Sequence, residues 1–340
     1  MRKTLLLSGC IVAALGCGGS AVDSNATQNY LGTQGPGDVW SWQLNDSTFT
    51  ASNQTQGYTY SGTKSVLPTG FLKLTVTNTT DPGVTNGQSA YALELTNTAL
   101  VLKMAGADTQ PPIVAASLGS NPPGPQVSFN FVAVGSATFQ QATDQAYGHV
   151  TFTVTGNHYD GTSKRFAIDG TALADGPSDF VGNNGLMTDT GANPPATGAM
   201  TPSGVCAIDY GPAKGGVIGV LQPSANVDLA DLASRNYRGF LINQGKTQCV
   251  VVTPNGDGTL HGAGYANPSG VETGTFDNGT GVTVSFTSQP APGEVRVSID
   301  TGQDVETVVA AINQVDGKAM LFGFGVGGDG KPYNIILVED

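Results

Sequence analysis

Leu72-Lys73-Leu74-Thr75-Val76-Thr77 and Val150-Thr151-Phe152-Thr153-Val154-Thr155 each place apolar and polar residues in strict alternation. A period of two is that of a β-strand with one buried and one solvated face, because successive side chains point to opposite sides of the pleat. The pattern recurs at Tyr91-Leu93-Leu95, Val127-Phe129-Phe131, Val282-Val284-Phe286, Val295-Val297-Ile299 and Met320-Phe322-Phe324, with Gly, Pro, Asn or Asp clusters between the runs. Strands buried on both faces would read as unbroken apolar runs joined by crossover helices, and that signature is missing. The chain is therefore expected to be all-β, built of antiparallel meanders.

Composition agrees. Glycine supplies 48 of 340 residues, and charged residues are 12% of the chain against an average of about 25%. Such a mixture suits twisted sheets with neutral polar faces and tight turns. One segment has helical spacing, Val227 to Ser234, where Leu229, Leu232 and Ala233 share a face and Asp228 and Arg235 suit the helix dipole. Val305 to Ile312 has helical spacing too, but its β-branched content favours a strand.

That helix falls where the chain starts again. Cys206–Tyr210 followed by Val217–Leu221 has the form of Met320–Phe324 followed by Tyr333–Val338, and Asp38–Trp42 resembles Asn236–Phe240. The expectation is two tandem β-sandwich or β-barrel units, 38–222 and 223–340, with one short helix between them and a long loop over 175–203. One large sandwich or barrel is the alternative.

Upstream, Arg2 and Lys3 lead into an apolar run, Thr4 to Gly16, too short to span a bilayer. It ends at Ala14-Leu15-Gly16-Cys17, which resembles the bacterial lipobox, in which the cysteine is acylated and the preceding peptide removed. The resemblance implies a signal peptide over 1–16, a flexible polar tether over 17–37 and lipidation of Cys17. Leu7-Ser8-Gly9-Cys10 is a rival box, but it leaves a shorter hydrophobic stretch. Gly18, following the cysteine, lacks the aspartate of the inner-membrane retention rule, so the resemblance points to the outer membrane of a Gram-negative cell.

Removing residues 1–16 leaves 12 basic residues against 26 acidic ones, a net charge of about −14. That sign repels phosphate backbones, so nucleic acid is not an expected partner. Outside the signal region the cysteines are Cys206 and Cys249, read as a structural disulfide in an oxidising compartment. His149, His158 and His261 lack metal-ligand spacing. The turns at Asn255-Gly256-Asp257-Gly258, Asp277-Asn278-Gly279 and Gly328-Asp329-Gly330 suit tight hairpins better than calcium. No catalytic motif, metal site or cofactor is expected.

The clearest binding signal is aromatic. Trp40 and Trp42 project from one face, as do Tyr58 and Tyr60, an arrangement suited to stacking on sugars or lining a lipophilic cavity, though a strand burying two tryptophans more often makes core. The expected partners are thus the membrane through a lipid anchor, together with a glycan, a small lipophilic ligand or an envelope protein. The function expected is a non-enzymatic binding or structural module of the cell envelope, with a polysaccharide- or envelope-directed hydrolase as the alternative.

Overall fold

The computed structural model describes residues 27–34, 38–95, 98–104, 112–118, 124–134, 146–183, 186–189, 191, 195–201, 204–210, 216–243, 246–277, 281–315, 317–328 and 330–340. The signal peptide and both candidate acylation sites, Cys10 and Cys17, lie outside them. The described chain is all-β and antiparallel, and its strands close into three barrels of eight.

The first barrel comprises β1 (Gln28–Gln34), β2 (Asp38–Leu44), β3 (Thr48–Asn53), β4 (Tyr58–Val66), β5 (Leu72–Thr79), β6 (Ser89–Leu95), β7 (Ala99–Met104) and β8 (Ile113–Ser117). The second comprises β9 (Gln126–Val134), β10 (Tyr147–Thr155), β11 (His158–Phe166), β12 (Ala172–Asn183), β13 (Leu186–Asp189), β14 (Ala196–Met200), β15 (Val205–Asp209) and β16 (Gly216–Leu221). The third follows helix α1 (Leu229–Leu232) and comprises β17 (Tyr237–Asn243), β18 (Lys246–Pro254), β19 (Leu260–Tyr265), β20 (Val282–Ala291), β21 (Glu294–Asp300), β22 (Val305–Val315), β23 (Lys318–Val326) and β24 (Pro332–Glu339). A second helix, α2 (Pro268–Thr273), follows β19. Each barrel is an up-and-down meander whose first strand pairs antiparallel with its last, β1 with β8, β9 with β16 and β17 with β24. Closure gives every strand a partner on each side.

This architecture corrects the expected division. There are three units, because the span 38–222 holds two closed barrels. The tether expected over 17–37 contains β1, the strand that closes the first barrel against β8. The loop expected over 175–203 contains the end of β12 together with β13 and β14. Their small residues carry little periodicity, yet their backbones pair continuously around the second barrel. The described residues hold two helices instead of one. The repeated closing form is real, since β15–β16 and β23–β24 both end their barrels, but Asp38–Trp42 is a second strand whereas Tyr237–Asn243 is a first.

Alternation decides what fills each lumen. Tyr30, Trp40, Trp42, Phe49, Tyr60 and Leu74 point into the first barrel, and Phe129, Phe131, Phe152, Tyr159, Phe180 and Met187 into the second. Where the barrels meet, outward-facing residues are buried too. Tyr91, Leu93 and Val101 of the first barrel, Val132, Val205 and Val220 of the second, and Phe240, Phe322 and Phe324 of the third share one cluster between the barrels. Strands β1 and β8 pack on β14 and β15, and β9 and β16 on β22 and β23. Polar groups tie the same interfaces. Asn130 Nδ2 donates to the Pro292 carbonyl at 2.7 Å, Asn334 Nδ2 to the Ala133 carbonyl at 3.1 Å, and Arg296 Nη2 to the Tyr147 hydroxyl at 2.6 Å. Glycine permits one close approach: a Cβ on Gly62, at the β4 bulge, would stand 1.9 Å from the Thr75 carbonyl oxygen.

Candidate functional site

The third barrel is closed at one end and hollow at the other. Residues 223–235 cross its lower mouth. Val227 N donates to Gln289 Oε1 on β20 at 2.9 Å and its carbonyl accepts from Gln289 Nε2 at 2.9 Å, while Arg235 is ion-paired with Glu339 on β24. Asp228 caps α1 by accepting from Ala230 N at 2.9 Å, and the Tyr237 hydroxyl donates to the Leu232 carbonyl at 2.8 Å. Leu232 is thereby driven into the lumen, where it packs with Tyr237, Val295, Val297, Ile312 and Leu321. This layer is solid core.

Above it lies a cavity of about 290 Å³. Its walls are Leu241, Val250, Val252, Val284, Ile299 and Ile335, inward-facing residues from β17, β18, β20, β21 and β24. Polar groups gather on the rim: Asn243, Gln248, Thr301, Glu306 and Tyr333. The space exists because β19 presents Gly262 and Gly264 inward, where the other strands present branched side chains. A Cβ on Gly262 would meet Val282 at 3.1 Å and Val284 at 3.7 Å, so any larger side chain there takes up the lumen.

On one side of the cavity the ladder between described residues is short. β19 pairs with β20 only through Leu260–Val284, His261–Thr283 and Gly262–Val282, whereas it stays paired with β18 up to Tyr265. Beyond Tyr265 the chain leaves the barrel as α2, and Ala263, Gly264, Gly281 and Val282 line the cavity on this side. Asn267 caps α2 by accepting from Gly270 N at 2.9 Å, and Gly274 ends it in the left-handed conformation at φ 77°. The helix docks on the first barrel: Thr69 Oγ1 donates to the Val271 carbonyl at 3.0 Å, Lys73 Nζ is 2.6 Å from Glu272 Oε1, and the Tyr91 hydroxyl donates to that oxygen at 2.9 Å. Hydrogen bonds from Lys73 and Tyr91 hold the Glu272 carboxyl below its usual range.

At the rim Glu306 Oε1 accepts from Gly328 N at 3.0 Å. The Tyr333 hydroxyl is buried beside this carboxylate without completing a hydrogen bond to it, and burial followed by the negative charge of Glu306 pushes its ionisation up. Of the residues lining the cavity, Glu306 is the one that carries a charge.

The residues singled out from the sequence lie elsewhere. Trp40, Trp42 and Tyr60 are buried in the lumen of the first barrel, with the indoles stacked at 5.7 Å and Tyr60 5.3 Å from Trp40, and Tyr58 packs half-buried at the same cluster. They are buried in core, with the Tyr60 hydroxyl donating to Asp81 at 2.7 Å, and Trp42 and Tyr60 also line a cleft of about 460 Å³. Both indole N–H groups are buried without an acceptor. The expected Cys206–Cys249 bridge is absent and both thiols are buried and unoxidised. Alternation explains why: Cys206 points into the second barrel's lumen, whereas Cys249 points outward from the third barrel into the central cluster. Burial pushes the Cys206 thiol up to about 12. His149 is held below its usual value by burial and by Lys164, and His158 Nδ1 lies 3.6 Å from Asp179 at the surface. Among the described residues no three His, Cys, Asp or Glu side chains gather as a metal site, and no helix is long and apolar enough to cross a membrane.

The barrel cavity is the site that sequence reasoning missed. Its signal was legible in His261-Gly262-Ala263-Gly264-Tyr265, a strand whose inward positions are both glycine, and a strand that faces a packed core has no use for that pattern.

Fold and site together define a protein of three closed, tandem up-and-down β-barrels, one of which carries a lumenal pocket. No family model and no curated protein matches the chain. A solved structure of a protein of unknown function from the DUF3598 family of Nostoc punctiforme aligns over 92% of this chain and 94% of its own, at 7% identity and a TM-score of 0.20. Neither fold nor activity is inferred from a likeness at that level.

Proposed function

We propose that this chain is a lipid-anchored protein of the bacterial cell envelope, at the outer membrane, that binds a small apolar ligand in the lumen of its third barrel. The observation that carries the binding is the cavity: a space of about 290 Å³ with branched aliphatic walls, a sealed floor and a polar rim. Ligand pockets begin at about 300 Å³, and an apolar void of about 150 Å³ already takes benzene, so the occupant is about the size of two such rings or a medium alkyl chain. The anchor rests on the lipobox-like Ala14-Leu15-Gly16-Cys17. Two or more acyl chains at Cys17 satisfy the requirement that stable anchoring takes more than one. Glu306 is the carboxylate among the described residues lining this cavity, where glycoside hydrolysis takes a flanking pair, and this favours the binding reading over the hydrolase alternative.

Fluorescence of N-phenyl-1-naphthylamine with the exported Cys10→Ser/Cys17→Ser chain, which has no acyl group of its own, tests the site. Saturable enhancement is expected, weakened at least about tenfold by Gly262→Leu or Val250→Phe in chains that retain the parental circular dichroism, since each fills the lumen. Enhancement indifferent to both variants refutes the lumenal site. Radioactive fatty acid labelling of cells tests the anchor: label lost in Cys17→Ser supports it, and label lost only in Cys10→Ser moves it to the upstream cysteine.

A further inference from the structure

Building on the ligand-binding reading of the third barrel, we propose that its lumen takes an apolar chain ending in a primary ammonium group and discriminates against the matching carboxylate. Among the described residues lining it, Glu306 is the charged side chain. Glu306 stands at the mouth on β22, where inward alternation from Val308 and Ala310 carries it over the aliphatic walls. One of its oxygens is engaged by Gly328 N at 3.0 Å, a contact that fixes the carboxylate and leaves acceptor capacity facing the cavity.

The turns around the mouth carry both signs, with Lys331 in the turn between β23 and β24. The hairpin joining β21 to β22 carries Asp300 and Asp304 beside the same mouth, and Asp304 faces the Gly328 turn closely enough that a Cβ there would stand 2.9 Å from its Oδ2. Asn243, Gln248 and Thr301 supply neutral oxygens on the rim. An ammonium brings three donors and no acceptor, so it can meet the Glu306 carboxylate as a charge-assisted donor. A carboxylate brings only acceptors and places a like charge against Glu306. At about 4 Å the change from attraction to repulsion is worth at least about tenfold in affinity even at high dielectric. The aliphatic walls below accept the chain in either case, so the head group decides.

The test is displacement of N-phenyl-1-naphthylamine from the Cys10→Ser/Cys17→Ser chain at 0.15 M salt by decylamine, 1-decanol and decanoate, each below its micelle concentration. Decylamine is expected to displace the dye at a concentration at least about tenfold below decanoate, with decanol between them. Glu306→Gln, nearly isosteric, is expected to bring decylamine and decanoate within about threefold of each other, with each displacement scaled to the variant's own dye affinity. Decanoate equal to or better than decylamine, or discrimination that survives Glu306→Gln, overturns the ammonium assignment. Either result leaves the lumenal site standing as long as Gly262→Leu still blocks the dye, whereas dye binding insensitive to Gly262→Leu removes the lumenal site itself.

Discussion

Leu321 and Phe322 are neighbours on β23 with opposite roles, and replacing each by alanine separates the stability of one barrel from the coupling of three. Leu321 is 2% exposed and points into the third lumen, while Phe322 is fully buried and points into the cluster between the barrels. Truncating a buried leucine costs about 2–5 kcal/mol and a buried phenylalanine about 3–5 kcal/mol. With a urea m-value of about 3 kcal/mol/M, a 3 kcal/mol loss moves a cooperative midpoint down by about 1 M. The readout is built in, because Trp40 and Trp42 are the chain's only tryptophans and both sit in the first barrel. Indole fluorescence reports that barrel alone, whereas far-ultraviolet circular dichroism reports all three. If the shared core makes the barrels one unit, Leu321→Ala lowers both midpoints equally, although Leu321 belongs to the core of another barrel. Phe322→Ala weakens the joint and is expected to split the transitions, the circular dichroism falling at lower urea than the fluorescence. A fluorescence midpoint untouched by Leu321→Ala would show that the barrels unfold independently, and the central cluster would then be mere contact.

Two more outcomes follow from the geometry. A thiol reagent should leave Cys206 and Cys249 unmodified in the native protein and titrate both in denaturant without prior reduction; a disulfide-linked peptide in the mass spectrum contradicts their placement on different faces of different barrels. The Glu272 carboxyl is held below its unfolded value of about 4.3, chiefly by Lys73, so its contribution is complete above that value and is lost as pH falls through the lower folded one. Urea midpoints should therefore fall more steeply below about pH 4 in the parent than in Glu272→Gln, and parallel profiles would show that the α2 latch contributes nothing.

Strand content was legible because it is local. Val150-Thr151-Phe152-Thr153 commits its backbone locally, the alternation that named β5, β6, β9, β10, β20, β21 and β23 also sorted their side chains onto two faces, and β-branched content named β22. Where local pattern was weak the reading failed: β1 resembled a tether, and β12 to β14 resembled a loop, since Gly, Pro, Thr and Asn carry little periodicity even when the backbone is fully paired. The aromatic pairs were legible as one-faced but not as to which side of a closed sheet that face would become.

The order of apolar and polar residues determined by itself that this is an antiparallel β protein with a helix near residue 230, because each of those choices depends on neighbours within a few positions. Tertiary structure alone decided that the strands close three times, that Cys206 and Cys249 point into separate compartments, and that the third lumen is hollow where Gly262 and Gly264 face it. Each of these depends on which distant strand completes the hydrogen-bond ladder, as β1 does with β8 and β17 with β24. Closure turns one face of every strand inward, and only then does a glycine at 262 become a void instead of a turn signal.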